Sequence, residues 1–180
     1  MKKIFIFGKP GSGKSTLSKK LASATGIKLY ALDLIVYKKD GDLADRKIFD
    51  EQHDNILSSA SWIIDGFGPI ASFKKRLYEA DTLIYIDLPY LISYWLVTMR
   101  LLKGLVVKPE GWPEGSSIFK GTLQSYKMLK RCPLFWNDNF MQQLQEISTN
   151  KTLYVIRSIS ELNNFIEQKL KFTSVSGNTK

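Results

Sequence analysis

The residues best suited to chemistry stand near the start of the chain. Gly8, Lys9, Pro10, Gly11, Ser12, Gly13, Lys14 and Ser15 satisfy the pattern G-x-x-x-x-G-K-[ST] at every fixed position. Glycines at these places let successive backbone N–H groups turn inward around phosphate oxygens, where a Cβ would collide. A helix opening near Lys14 points its positive dipole end at the same spot. Lys14 would neutralise the β- and γ-phosphates, and the Ser15 hydroxyl would be a ligand of Mg²⁺. Thr16 is placed to hydrogen-bond a further phosphate oxygen. The arrangement calls for a nucleoside triphosphate with Mg²⁺, ATP being the expected one and GTP left open.

A metal-bound triphosphate also needs an acidic group near the metal, at the end of a buried strand. Asp65 follows Trp62-Ile63-Ile64, and Asp87 follows Leu83-Ile84-Tyr85-Ile86. Ligands of open α/β sheets bind beyond the carboxyl ends of the strands, so both can reach the site. Asp65 is the first choice, because Gly66 lets the chain turn away and leaves the carboxylate exposed. Asp87 precedes Leu88-Pro89 and suits a strand-to-helix turn, but it stays a candidate. Asp33 ends another apolar segment; opposite the glycine loop it could accept a hydrogen bond from an acceptor hydroxyl and orient or deprotonate it. Each of the three also has a plain structural use in a turn or helix cap.

These side chains must be positioned by strands and helices. Residues 3–7 read as a buried strand, followed by a helix over 14–25. Further strands are expected at 28–32, 61–65, 82–89 and 152–156. Helices are expected at 42–60, 70–80, 90–104, 118–131, 137–148 and 159–170, with a break at Pro133 and a frayed tail over 171–180. Residues 104–117 are rich in Gly and Pro and read as a loop. Strands alternating with helices predict an α/β domain around a mainly parallel sheet covered on both faces. No linker or internal repeat divides the chain, so residues 1–170 form one domain.

Composition narrows the function classes. The chain has 180 residues, 44% hydrophobic and 24% charged, as in an ordinary globular protein. The apolar run at 91–99 falls short of the roughly 20 residues that span a bilayer, and no membrane contact is expected. The basic N-terminus reads as a first strand rather than a leader. The single cysteine, Cys132, cannot pair internally and suits a reducing cytoplasm; a semi-buried apolar role is expected for it. The net charge of +9 implies anionic partners. Five arginines, Arg46, Arg76, Arg100, Arg131 and Arg157, are available for the bidentate grip on phosphate that lysine lacks. His53, the only histidine, sits in a polar stretch and is expected at the surface. No Cys/His cluster suggests zinc. The aromatic and basic stretch 119–136 could stack on single-stranded nucleic acid, but a helix packing Phe119, Leu123, Tyr126 and Leu129 inward is the simpler expectation. The oligomeric state is left open.

Three further segments carry a resemblance. "GKPGSGKST", "WIIDGF" and "ADTLIYIDLP" resemble, in this order, the P-loop kinases of the adenylate kinase and shikimate kinase type. The closer resemblance is to adenylate-kinase-like proteins labelled DNA topology modulation (FlaR-related) proteins, through "YALD" (30–33), "RLYEADTLIYIDLP" (76–89), "PEGWPEG" (109–115) and "VIRS" (155–158). It covers about residues 1–170 and implies a three-layer P-loop fold, a five-stranded parallel sheet in the order 2-3-1-4-5, and a lid near 104–117. It also implies that Arg100 or Arg131 stabilises charge on the transferring phosphoryl group, that Arg157 lies over the adenine, and that Arg76 holds an acceptor's anionic group. The adenylate type carries Asp-Gly-Phe-Pro-Arg where this chain reads Asp65-Gly66-Phe67-Gly68-Pro69, so that arginine is missing; the change favours a less charged acceptor. The leading expectation is a Mg²⁺–ATP-dependent phosphotransferase acting on a small acceptor. The alternative is a nucleotide-responsive regulator that touches DNA or a protein partner and turns over little.

Overall fold

The first strand dictates the architecture. β1 (Lys3–Gly8) is buried at every residue from Ile4 onward, and successive side chains of a strand point to opposite faces. Both faces must therefore be covered. In a computed structural model describing residues 1–32, 35, 45–104 and 118–176, β1 lies at the centre of a five-stranded sheet. Its companions are β2 (Leu29–Ala31), β3 (Trp62–Asp65), β4 (Thr82–Ile86) and β5 (Thr152–Ile156). The order is β2-β3-β1-β4-β5 and every pairing is parallel. This is the α/β fold and the strand order expected above.

Ile4 and Ile6 share one core with Leu17 and Leu21 of α1 (Lys14–Thr25) and with Phe165 and Ile166 of α7 (Ile159–Ser176). Phe5 and Phe7 point the other way. They pack with Phe49 and Ile56 of α2 (Arg46–Leu57), Phe73 of α3 (Ile70–Glu79) and Phe140 of α6 (Asp138–Ile147). α4 (Tyr90–Gly104) and α5 (Ile118–Phe135) pack against each other. The register sets Ile6 beside Asp65 and Gly8 beside Ile86. The ends of β1 and β4 are thus level, β3 stops opposite Ile6, and the glycine loop emerges between the two acidic strand ends.

Several local expectations need correcting. Pro133 lies inside α5 rather than ending it. It sits in the last turn, where only the bond to the Leu129 carbonyl is forfeited, and the Trp136 N–H still reaches the Cys132 carbonyl at 2.7 Å. α7 continues to Ser176, past the end expected at 170. Phe119 and Leu123 are exposed, at 70% and 52%, rather than packed inward. Thr122, Leu129 and Cys132 form the buried row of α5, and at 100° per residue Leu123 stands about 120° away from Leu129. The expectations for Asp33 and for most of the lid near 104–117 fall outside the described residues.

His53 is also a correction, since it is 1% exposed. Its ring stacks on Phe49 at 5.6 Å, and Arg76, itself fully buried, approaches its Nε2 with Nη1 at 3.0 Å. Arginine can only donate, so Nε2 must carry the lone pair and Nδ1 the proton, which faces Asp54 Oδ1 at 3.5 Å. The other guanidinium nitrogen, Nη2, donates to the Phe67 carbonyl. The cation lies 4.8 Å from the Phe5 ring centre, a favourable cation–π contact. No carboxylate lies in ion-pair range of Arg76 among the described residues. Burial alone lowers its pKa to about 9, which still leaves it charged at neutral pH. The pair spans α2 and α3 and anchors the turn that follows Asp65. A polar stretch hid this histidine because one face of α2 is buried although its sequence is largely charged.

Burial, and secondarily the Arg76 charge, lower the pKa of His53 to about 4. Its ordinary value is about 6.5, so the unfolded chain takes up the proton first. The resulting stability is complete above that value and disappears as pH falls towards 4, a change of up to about 3 kcal/mol. His53→Gln keeps an acceptor for Arg76 and does not titrate. Urea unfolding at neutral pH and at pH near 4 should show wild type losing more stability than the variant. Parallel loss in the two proteins would contradict a neutral buried histidine.

Candidate functional site

The glycine loop is wedged between β4 and α4. A Cβ on Gly8 would overlap the carbonyl oxygen of Ile86, and one on Gly11 would come 2.8 Å from the Ser93 carbonyl and 2.7 Å from Val97 Cγ2. Gly8 and Gly11 have φ of 148° and 75°, where a side chain is also strained. These two contacts shape the loop before any ligand is considered. Within it, the Ser12 N–H donates to the Lys9 carbonyl at 3.3 Å, and Lys14 Nζ folds back to donate to the same carbonyl at 2.8 Å.

α1 begins at Lys14 without a side-chain cap. The contrast with its neighbours is informative. Asp45 caps α2 by accepting from the Lys47 and Ile48 N–H groups, and Asn137 caps α6 by accepting from Phe140. Early N–H groups of a helix have no partner within it; at α1 the N-cap residue is Gly13, which has no side chain to cap them, and an anion at the loop would face them.

Asp65 and Ser15 are brought together through a third residue. Ser18, fully buried one turn into α1, donates to the Ser15 carbonyl at 3.1 Å and lies 3.3 Å from Asp65 Oδ2. Nothing in the motif pattern marked Ser18, because its role depends on the register between β1 and β3. Asp65, buried rather than exposed as expected, thus lies against the first turn of α1, which also carries the exposed Ser15. A carboxylate and a hydroxyl are the hard oxygen donors that suit Mg²⁺, which takes one or two protein oxygens and completes its shell with phosphates and water.

Asp87 is differently committed. It forms an ion pair with Lys9 Nζ and accepts from the Tyr85 hydroxyl at 3.1 Å. Lys9 is buried, and its ammonium also lies 4.6 Å from the centre of the Tyr90 ring. Burial pushes the Tyr85 pKa up, with the Asp87 charge adding to the effect, so Tyr85 remains a phenol and donor. Cys132, free and buried, has its pKa raised by burial, with Lys9 and Lys14 pulling weakly the other way. It is a protonated core residue rather than a nucleophile. Lys9 occupies an unrestricted position of the loop pattern, so the ion pair to β4 was invisible in the motif.

The arginines are dispersed. Arg100, half-buried on α4, donates from Nη2 to Ser125 Oγ of α5 at 2.8 Å. Arg131 is exposed on α5. Arg157 is exposed just beyond β5. Its N–H donates to Glu161, whose own N–H donates to Ser158 Oγ, a reciprocal cap on α7. Leu162 of α7 lies 3.1 Å from where a Gly13 Cβ would be, so this capped end borders the glycine loop. Arg76 lies beneath the site with both Nη groups engaged, so reaching an acceptor would require it to exchange those bonds.

No protein-family model matches the chain, and no curated protein matches it. A solved structure does. The chain is similar to the crystal structure of a gluconokinase from Sinorhizobium meliloti 1021, with a TM-score of 0.52 over 96% of this chain and 91% of that one. At 13% identity the likeness is one of fold, and it agrees with the P-loop arrangement built up above.

Two glycines at positive φ separate strain from crowding. Gly26, at φ 69°, has nothing within 4 Å of a would-be Cβ. Gly26→Ala should cost about 1–2 kcal/mol, from backbone strain alone. Gly8→Ala, which forces β4 away from β1, should leave little folded protein. Circular dichroism and thermal unfolding of the two variants make the comparison; equal effects would mean that the loop is not wedged against β4.

Proposed function

We propose that this protein is a Mg²⁺–ATP-dependent phosphotransferase acting on a small acceptor. The observation that supports the reading is the convergence, at the end of β1, of the start of α1, the Lys14 residue that opens it, and Asp65, which Ser18 ties to the first turn of α1. In this reading the loop N–H groups and α1 hold the triphosphate, and Lys14 exchanges its bond to the Lys9 carbonyl for the β- and γ-phosphate oxygens. Ser15 and Asp65 hold Mg²⁺, which when bound neutralises charge that builds on the phosphates. Asp65 is favoured over Asp87 for this task because Asp87 is already paired with Lys9.

Phosphoryl transfer asks for positioning and charge stabilisation more than covalent chemistry. Arg100 and Arg131, on the helices that flank the expected lid, are the candidates for charge on the moving phosphoryl group, and Arg157 for the base. Asp33 is the candidate for orienting the acceptor hydroxyl. Arg76 serves the acceptor side through the Phe67 carbonyl, by fixing the turn after Asp65. The acceptor is a small molecule, and a sugar acid is among its candidates because the structural neighbour is a gluconokinase.

The test is ADP release from Mg²⁺–ATP with a panel of nucleosides, nucleoside monophosphates, polyols and sugar acids. Acceptor-dependent release should fall about 100-fold or more in Lys14→Ala. Asp65→Asn should raise the Mg²⁺ concentration needed for half-maximal rate. If ATP binds but no acceptor lifts turnover above hydrolysis by water, the reading as a nucleotide-responsive regulator moves ahead.

A further inference from the structure

α4 and α5 leave an apolar band uncovered. Among the described residues, twelve large apolar side chains are exposed, and six of them lie in two rows. Leu91, Trp95 and Leu102 stand on one face of α4, at steps that return to the same side of a helix. Phe119, Leu123 and Leu134 do the same on α5. Thr98 belongs to the first row and Tyr126 borders the second, and their hydroxyls lie 2.7 Å apart. The rings of Tyr94 and Tyr126 stack alongside, at 5.8 Å. The rows are therefore neighbours and form one band, about 16–22 Å long by helical rise.

The charged side chains of these two helices have one sign. Neither α4 nor α5 contains an aspartate or glutamate, although the chain has 17 acidic residues. Lys103, Lys127 and Lys130 are exposed on these helices. An apolar strip bordered by lysines, with a tryptophan and a phenylalanine among its side chains, has the composition of a helix surface that lies in a membrane interface. Lysine stems can rest along apolar surface while their ammoniums reach lipid phosphates.

We infer that the α4–α5 face docks on an anionic lipid surface. Single-stranded nucleic acid fits less well, because stacking needs a ring for each base and four of the six exposed side chains are leucines. A second copy of the chain would bring the same cations against these, without an acid on either helix to meet them. Lipid satisfies both halves of the surface: headgroups take the lysines and acyl chains take the leucines. The expectation of no membrane contact rested on the lack of a spanning segment, and no helix of the described residues is long and apolar enough to cross a membrane. Peripheral docking needs none.

Co-sedimentation with phosphatidylcholine vesicles, with and without phosphatidylglycerol, tests the inference. The full chain should bind only the anionic vesicles, less so as salt rises. Leu91→Glu with Leu134→Glu should weaken binding at least about tenfold while nucleotide binding is unchanged. Brominated lipids should quench the wild-type fluorescence more than that of Trp95→Phe, a variant that keeps an apolar ring and should still bind; this readout does not depend on the glutamate variants folding. Failure to bind anionic vesicles would overturn the inference, as would binding insensitive to the glutamates or quenching equal in wild type and Trp95→Phe. So would displacement of the vesicles by single-stranded DNA, or a concentration-dependent dimer that the glutamates abolish.

Discussion

The backbone of Gly8 lies against the carbonyl of Ile86 with no room for a side chain between them. That approach lets the loop stay at the level where β1 and β4 end, and a second approach, of Gly11 to Ser93 and Val97 on α4, fixes its other side. With the loop held at these points, α1 starts where its early N–H groups face the loop, and Ser18 reaches Asp65 across to β3. Interiors are close-packed and do not deform gradually. The shape of the glycine loop is therefore a property of three strands and two helices, and eight consecutive residues would not hold that shape alone.

Charge is distributed in two different ways around this frame. Lys9 and Asp87 are paired in a place where either alone would be costly, since a buried charge without its partner is strongly destabilising. Arg76 is buried without a carboxylate in ion-pair range among the described residues and is held by a carbonyl, a neutral histidine and two aromatic rings. Such a group stiffens the turn after Asp65 because breaking either hydrogen bond leaves buried polar atoms unmatched. Lys9 is held by its pairing with Asp87, whereas Lys14 donates to the Lys9 carbonyl at 2.8 Å and lies 3.5 Å from the Ser12 hydroxyl.

Much of this was legible before any coordinates. Residues 4–7 and 83–86 are uninterrupted apolar runs and could only be strands covered on both faces. The loop pattern, its place between strand and helix, and the aspartates at strand ends followed from spacing. The differences share one physical origin. Polar neighbours suggest the surface for His53, and their own hydrophobicity suggests the core for Phe119 and Leu123. In each case the face of the helix that turns inward was decided by another part of the helix: by Phe49 and Ile56 on α2, and by Leu129 and Cys132 on α5.

Local chemistry and periodicity are carried by residues close together in the chain, so the strands and the glycine loop between strand and helix can be read from the sequence alone. Side-chain partners from distant segments depend on the register of parallel strands and the rotation of each helix, which no short pattern encodes. Tertiary structure alone decided that Ser18 joins Ser15 to Asp65, that Lys9 neutralises Asp87, and that Arg76 lies under the site with His53 rather than open to it. It also decided which leucines of these helices face out, Leu91 and Leu102 on α4 and Leu123 and Leu134 on α5, while Leu129 is buried.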